Sequence, residues 1–325
     1  LDTLKIPYEY ISDQKLRLVP DLRAKYDVII LGSTPGSAQR VVNGMPMRGD
    51  PIPWKASALT PNLGSSPDTT DDMRGGMGLD GLMKIAKFID EGGLFVTVTG
   101  NASIPIDYGL IDSVSISTTR ELQVRGSVLN AIISDKKSPI TYGYGDTLPV
   151  YFSQAPVLQV SMNGGFGVFG GDAPGGRPTG RGTTTDPDIP QARPYAAPPE
   201  RPQTKPGEEA PLDEDAREFL RPFLPTPESR PRVVLRFSEE KDLLISGMLA
   251  GGRELANRPV VVDVPRGKGH VLLFANNPIW RNATQGSYFL LFNAILNFDH
   301  LGAGVSASPE TEPRPQGSVT TKPAF

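Results

Sequence analysis

Apolar residues recur with two different periods along this chain, and the two periods predict its architecture. The run from Tyr26 to Leu31 in YDVIILG is continuously apolar and rich in branched residues, and it ends at Gly32. Buried parallel strands have this pattern. Further along, the spacing in LDGLMKIAKFID predicts a helix whose inward face carries Leu79, Leu82, Ile85, Ala86 and Ile89.

A glycine pair follows that helix and separates it from a second apolar run. We expect Gly92 and Gly93 to end the helix, and Leu94 to Val98 to form a strand. A helix that leads through a glycine turn into an apolar strand is the building unit of a doubly wound α/β sheet.

From Asp112 onward the pattern changes to short apolar runs broken by Pro and Gly: SVSIS, SVLNAIIS, LPVYFS and VLQVS. These runs predict antiparallel strands, because a doubly wound sheet would have helices between them. We therefore divide the chain into the first part of an α/β domain (1–112), an inserted β-rich subdomain (113–162), a linker (163–212), the last part of the α/β domain (213–301) and a disordered tail (302–325).

The segment 163–212 is rich in Gly and Pro, and such a composition cannot bury enough apolar surface to offset the entropy lost on ordering. A mobile linker is the expectation, and a Pro-rich docking peptide is the alternative. After it, DEDAREFLRPF predicts a short helix, and RPVVVDVP, RGKG and HVLLFANN predict a hairpin. We expect a final helix from Gln285 to Phe298, with Phe289, Phe292 and Leu296 facing inward.

Composition excludes several kinds of chemistry. The chain has no Cys, which removes thiolate nucleophiles, disulfides and thiolate metal sites. The net charge is -3 and the basic residues are scattered among carboxylates, so no nucleic-acid partner is expected. No apolar run reaches the ~18–20 residues that span a bilayer. The chain opens inside an amphipathic pattern without Met or a signal peptide, so we expect a piece of a longer protein.

Two histidines offer little for catalysis. His270 opens a strand, where a half-exposed strand residue is the expectation, and His300 follows the last helix, where a cation is favourable. The sequence contains no H-x-x-E or H-E-x-x-H motif, and we expect no histidine–carboxylate cluster and no metal site.

Other candidate residues have both a chemical and a structural interpretation. Ser103 follows a strand in TGNASIP, where an α/β enzyme mounts its nucleophile, but the G-x-S-x-G spacing is absent and a helix N-cap is favoured. The carboxylates Asp68, Asp71 and Asp72 suit calcium, yet their spacing differs from an EF-hand loop, and a solvated helix entry is favoured. The glycines of GGMGLDGL follow a loop, which weakens a dinucleotide-binding interpretation.

Three long stretches carry a family resemblance: LKIPYEYISDQKLR with YDVIILG, GDPIPWKASALTPNLGSSPDTTDDMRGGMGLDGLMKIAKFIDEGG, and VLLFANNPIWRNATQGSYFLLFNAIL. They resemble the C-terminal portion of secreted bacterial zinc carboxypeptidases of the carboxypeptidase A family. In that family a class I glutamine amidotransferase-like, flavodoxin-like domain follows the peptidase domain. The resemblance implies a parallel sheet, a secreted or periplasmic location, and zinc in the upstream peptidase domain, none of whose ligands match a residue of this chain.

The resemblance also implies where a ligand would sit. Amidotransferases use a Cys-His-Glu triad, and the turn that would carry the Cys reads TGNASIP here. NNPIWRNATQGS would be the loop after the final strand, at the carboxyl end of the sheet where α/β folds bind ligands. Asn277, Trp280 and Arg281 would line a crevice with Asn101 and Ser103, and Arg281 would hold a carboxylate. The alternative is that Trp280 and Arg281 pack against the upstream domain.

We therefore expect a non-catalytic accessory domain with no cofactor of its own. Its partner would be the upstream peptidase domain, to which it would present peptide substrate. The alternatives are a hydrolase that uses Ser103, a peptide- or carbohydrate-binding module that uses the crevice near Arg281, and an interaction segment that recruits partners through its Pro-rich stretch.

Overall fold

The computed structural model describes residues 1, 5–34, 36–65, 69–161, 229–281 and 283–305. The expected linker at 163–212, the expected helix DEDAREFLRPF and nearly all of the expected tail at 302–325 lie outside these ranges. None of the helices within the described ranges combines the length and the hydropathy needed to cross a membrane.

Five α-helices lie in the described ranges: α1 (Asp13–Leu16), α2 (Ala38–Asn43), α3 (Gly78–Asp90), α4 (Ser103–Asp107) and α5 (Tyr288–Leu296). The strands of the first part are β1 (Val28–Leu31), β2 (Leu94–Val98), β3 (Val114–Ile116), β4 (Gln123–Val124), β5 (Ser127–Ile133), β6 (Thr147–Phe152) and β7 (Leu158–Val160). The later strands are β8 (Arg232–Phe237), β9 (Leu244–Ser246), β10 (Leu249–Ala250), β11 (Pro259–Arg266) and β12 (Gly269–Phe274).

Eight strands form one sheet in the order β1-β2-β12-β11-β8-β5-β6, and β9 pairs with β5 beside that path. β1, β2 and β12 are parallel to one another, whereas every pair from β12 to β6 is antiparallel. The α/β class is therefore confirmed, but the expected parallel sheet is a mixed one. The reason is local, because β11 and β12 form the predicted hairpin and a two-residue turn joins only antiparallel strands.

The β-rich segment 113–162 divides between two environments. β5 and β6 form the edge of the main sheet next to β8, while β3 pairs with β7 and β4 pairs with β10 in two small ribbons. This segment thus extends the main sheet instead of standing wholly apart from it.

The parallel half is built by the helix–glycine–strand unit that the sequence predicts. α3 ends at Asp90 and β2 begins at Leu94, so the glycine turn is confirmed. The close approach of α3 to β12 explains a further glycine. A Cβ on Gly269 would lie 2.2 Å from the Gly93 carbonyl oxygen and 2.4 Å from that of Ile89.

Two predicted helix faces differ from the structure. On α3, Leu82, Ile85 and Ile89 are buried as expected, but Leu79 is 62% exposed. On α5 the inward residues are Leu290, Leu291 and Ala294, whereas Phe289 and Leu296 are 59% and 67% exposed. α5 also begins at Tyr288 and ends at Leu296, shorter than predicted. Nearly every position of this helix is apolar, so periodicity alone could not select its buried side.

Candidate functional site

The carboxyl ends of β1 and β2 lie side by side, and polar side chains join them. Asn101 is buried, and its Nδ2 donates to the Gly32 carbonyl oxygen at 2.5 Å and to Thr34 Oγ1 at 2.9 Å. The Thr99 hydroxyl donates to Ser33 Oγ at 2.7 Å. These groups hold the two strand ends together, so the Asn101 amide is engaged within the protein.

Ser103 lies just beyond this network but is not an N-cap. It is the first residue of α4, Ala102 occupies the cap position, and no side-chain capping bond forms. The capping role expected for Ser103 is therefore wrong. Within the described residues, no hydrogen bond involves the Ser103 hydroxyl.

The structure does assemble a histidine–carboxylate pair, which the sequence did not predict. His270 Nδ1 lies 2.7 Å from Asp263 Oδ1 across the β11–β12 hairpin, and the Asp263 side chain is 0% exposed. His270 is only 13% exposed, so it is not a half-exposed strand residue. The register of the predicted hairpin could have indicated this pair. Pro265 lies opposite His270, and Asp263, two residues before Pro265, lies on the same face of the hairpin.

This pair lies far from Ser103. His270 is in register with Leu94 at the amino end of β2, while Ser103 follows the carboxyl end of that strand. The five-residue strand alone separates the two by about 13 Å. His270 cannot act as a base toward Ser103 in this geometry.

The loop after β12 uses its two asparagines differently. Asn277, the predicted ligand-binding residue, accepts a hydrogen bond from the Ile279 amide at 3.1 Å and thereby shapes the loop. Its neighbour Asn276 is completely buried, and its amide has no hydrogen-bond partner among the described residues. Two adjacent asparagines in a loop have the same local pattern, so the sequence alone does not indicate which of them turns inward.

Trp280 and Arg281 lie on the antiparallel side of the sheet. The Trp280 ring stacks on Tyr151 of β6, with centroids 4.9 Å apart and planes 12° apart. The Arg281 guanidinium carbon lies 4.8 Å from the Trp280 centroid. β6 is five strands from β2 in the sheet order, so the structure does not bring Trp280 and Arg281 together with Asn101 and Ser103.

Tyr151 also borders a depression of about 680 Å³, here named the Tyr151 groove. It is lined by Gln123, Val124, Arg125, Gly126, Tyr151, Ser153 and Gln154. None of these residues was a sequence candidate, because the groove forms only when β4 and the end of β6 come together.

The acidic stretch near residue 70 is neutralised by cations. Arg74 donates to both carboxylate oxygens of Asp72, at 2.8 Å from Nε and 2.6 Å from Nη2, and holds the pKa of Asp72 well below its usual range. Lys55 Nζ lies 2.5 Å from Asp71 Oδ1. Asp68 lies outside the described ranges, and within them no three His, Asp or Glu side chains are grouped as metal ligands.

Comparisons with known proteins give no family. No protein-family model matches the chain, and no curated protein matches it. Among solved structures, a cytoplasmic protein from Salmonella typhimurium is similar with a TM-score of 0.41 and 10% identity, over 92% of this chain and 83% of that one. A ThuA-like protein from Bacteroides uniformis has a TM-score of 0.35 and 12% identity, over 90% of this chain and 75% of that one.

A β-galactosidase from Bacillus circulans sp. alkalophilus is also similar, with a TM-score of 0.32 and 8% identity, over 67% of this chain and 20% of that enzyme. All three TM-scores lie below 0.5, so these likenesses carry no argument about function.

Proposed function

We propose that this chain is a non-catalytic accessory domain of a secreted or periplasmic zinc carboxypeptidase, in which it packs on the peptidase domain or presents peptide substrate to it. The observation that carries the non-catalytic part is the Asn101 network. At the strand ends where an α/β enzyme places its catalytic groups, Asn101 bonds to Gly32 and Thr34, and Thr99 bonds to Ser33. The side chains of Asn101 and Thr99 therefore serve to join the ends of β1 and β2.

The assignment to a carboxypeptidase is supported by the sequence resemblance. On that proposal, the zinc ligands and the catalytic Glu belong to the upstream domain, and this chain contributes no residue to the hydrolytic step. Its contribution would be to substrate binding, so the parent enzyme should lose affinity for long peptides when the domain is removed, while its turnover number persists.

The test compares the parent enzyme with a form that lacks residues 1–305, on a long peptide and on a blocked dipeptide. We expect a higher KM for the long peptide only, an unchanged kcat, and loss of all activity on chelation of zinc. Ser103→Ala in the parent should leave both substrates unaffected. Turnover of esters or amides by this chain that depends on Ser103 would contradict the proposal. An upstream coding sequence that lacks the zinc-binding residues, an H-x-x-E pair and a later His, would also contradict it.

A binding module is the second candidate, and the stack of Tyr151, Trp280 and Arg281 favours it. Flat aromatic rings beside a cation form a surface suited to ligands that combine an apolar face with a negative charge. This candidate does not depend on a peptidase partner. The two functions are compatible, since an accessory domain can also hold a ligand.

A further inference from the structure

The Tyr151 groove has the size and position of a small-ligand site. Its volume of about 680 Å³ lies within the ~300–1,000 Å³ that ligand pockets usually occupy. One wall is β4 with the turn at Arg125 and Gly126, and the other is the end of β6 with Ser153 and Gln154. The groove thus lies between two elements that are distant in sequence.

Hydrogen bonds hold the β4 wall in place. Gln154 Oε1 accepts from the Val124 amide at 2.9 Å, and Gln154 Nε2 donates to the Leu122 carbonyl oxygen at 2.8 Å. The Glu254 carboxylate accepts from the amides of residues 120, 121 and 122 at 2.9–3.1 Å. A wall fixed in this way loses little conformational entropy when a ligand binds.

The aromatic wall is also held in place. One side of the Tyr151 ring packs against Trp280, which in turn carries Arg281. Gly126 lies directly beside the Tyr151 hydroxyl, because a Cβ at this glycine would lie only 2.8 Å from it. The Tyr151 ring is therefore a supported flat surface bordering the groove.

Three of the remaining lining side chains are polar and exposed. Within the described parts of the chain, no hydrogen bond or ion pair involves the side chains of Gln123, Arg125 or Ser153, and all three residues are exposed. Arg125 is the charged residue among the lining residues, and no carboxylate lines the groove. The groove therefore offers an amide, a hydroxyl and a guanidinium beside an aromatic face.

We propose that the Tyr151 groove binds a saccharide that carries a carboxylate, such as a uronic acid unit. The apolar face of the sugar ring would stack on Tyr151, its hydroxyls would bond to Gln123 and Ser153, and its carboxylate would bind Arg125. This inference rests on the binding role proposed above and is independent of the peptidase partnership.

An extended peptide fits this region less well. A peptide that adds to a sheet needs successive amide donors along a free edge, and β6, the last strand in the sheet order, has Pro149 in its middle. Trp280 also packs against Tyr151 of the same strand. The saccharide requires only the ring face and the three polar side chains.

Calorimetric titration of the full chain with trigalacturonic acid tests the proposal, and a neutral glucose trisaccharide and an acidic tripeptide serve as comparison ligands. We expect the uronic trisaccharide to bind best, with an affinity that falls as salt rises. Arg125→Gln should weaken it about tenfold or more, and Tyr151→Leu should do the same. Arg17→Gln, at an exposed arginine of the α1 C-cap, should leave it unchanged.

Thermal unfolding of each variant separates lost binding from lost folding, and Gln123→Ala gives a second, milder variant on the exposed β4 wall. The proposal is overturned if the uronic trisaccharide does not bind at millimolar concentration, if Arg125→Gln in a folded protein leaves its affinity unchanged, or if the tripeptide binds better. Because the titration contains no peptidase domain, a failed accessory role would not affect its result.

Discussion

His270 Nδ1 lies 2.7 Å from Oδ1 of Asp263, a carboxylate with no exposed surface, and the same distance separates His300 Nδ1 from Oδ1 of Asp299 at an exposed site. The chain therefore contains a buried and an exposed version of one contact. The strength of such a contact depends on its surroundings, since water screens the exposed pair but not the buried one.

The first prediction uses this contrast. His270→Ala removes the hydrogen-bonding partner of the buried Asp263 side chain and should destabilise the fold by about 3 kcal/mol, because a buried polar group is left unsatisfied. His300→Ala, at the exposed pair, should leave the urea midpoint unchanged within error. Equilibrium urea unfolding measures both. Equal effects from the two substitutions would contradict the assignment of Asp263 to the core.

The second prediction concerns Glu254, whose pKa is lowered from 4.5, mainly by the hydrogen bond from the Arg120 amide and also by those from Leu122 and Glu121. A carboxyl group with a lowered pKa stabilises the folded state at pH values above its ordinary pKa. This stabilisation is lost as the pH falls through the pKa that the group has in the folded protein. The melting temperature of the wild-type protein should therefore exceed that of Glu254→Gln at pH 7, and the difference should shrink below pH 4.5. A difference in melting temperature that does not change with pH would contradict the hydrogen bonds from the three amides to Glu254.

A third prediction follows from Tyr144. Its hydroxyl donates to the Gly286 carbonyl oxygen, and burial raises its pKa to about 12. The stabilisation linked to this raised pKa is fully present at pH values below the ordinary tyrosine pKa of 10. It is lost as the pH rises through about 12. Ultraviolet titration should show one tyrosine that ionises near pH 12, absent in Tyr144→Phe. In Tyr142→Phe, where the ring is 51% exposed, that late step should remain.

The fourth prediction tests the contact of α3 with β12. Gly269→Ala would place a methyl group within 2.4 Å of two backbone oxygens, which cannot move without displacing the helix end. We expect a loss of about 3 kcal/mol or more in unfolding free energy. Gly100→Ala is the matched control, because its added Cβ would meet nothing within 4 Å beyond its own local backbone. Unfolding of both variants at the same urea concentration would contradict the close packing of α3 against β12.

Much of the fold could be predicted because it depends on neighbours along the chain. The β1 strand, the α3–glycine–β2 unit and the β11–β12 hairpin follow from apolar period and turn residues within short windows. Less of the candidate site could be predicted from the sequence. Asn101 was predicted to line a crevice with Trp280 and Arg281, and its bonds to Gly32 and Thr34 could not be predicted because they depend on how β1 and β2 align.

The amino-acid sequence by itself determined the α3–glycine–β2 unit, the β11–β12 hairpin, the α/β class and the absence of any cysteine chemistry, since each of these is a property of composition or of local spacing. Only the tertiary structure decided that the sheet is mixed, that Trp280 stacks on Tyr151, and that Asp263 receives His270. Those outcomes depend on which distant segments become neighbours, and many pairings of apolar strands satisfy the same local pattern until the whole core is packed.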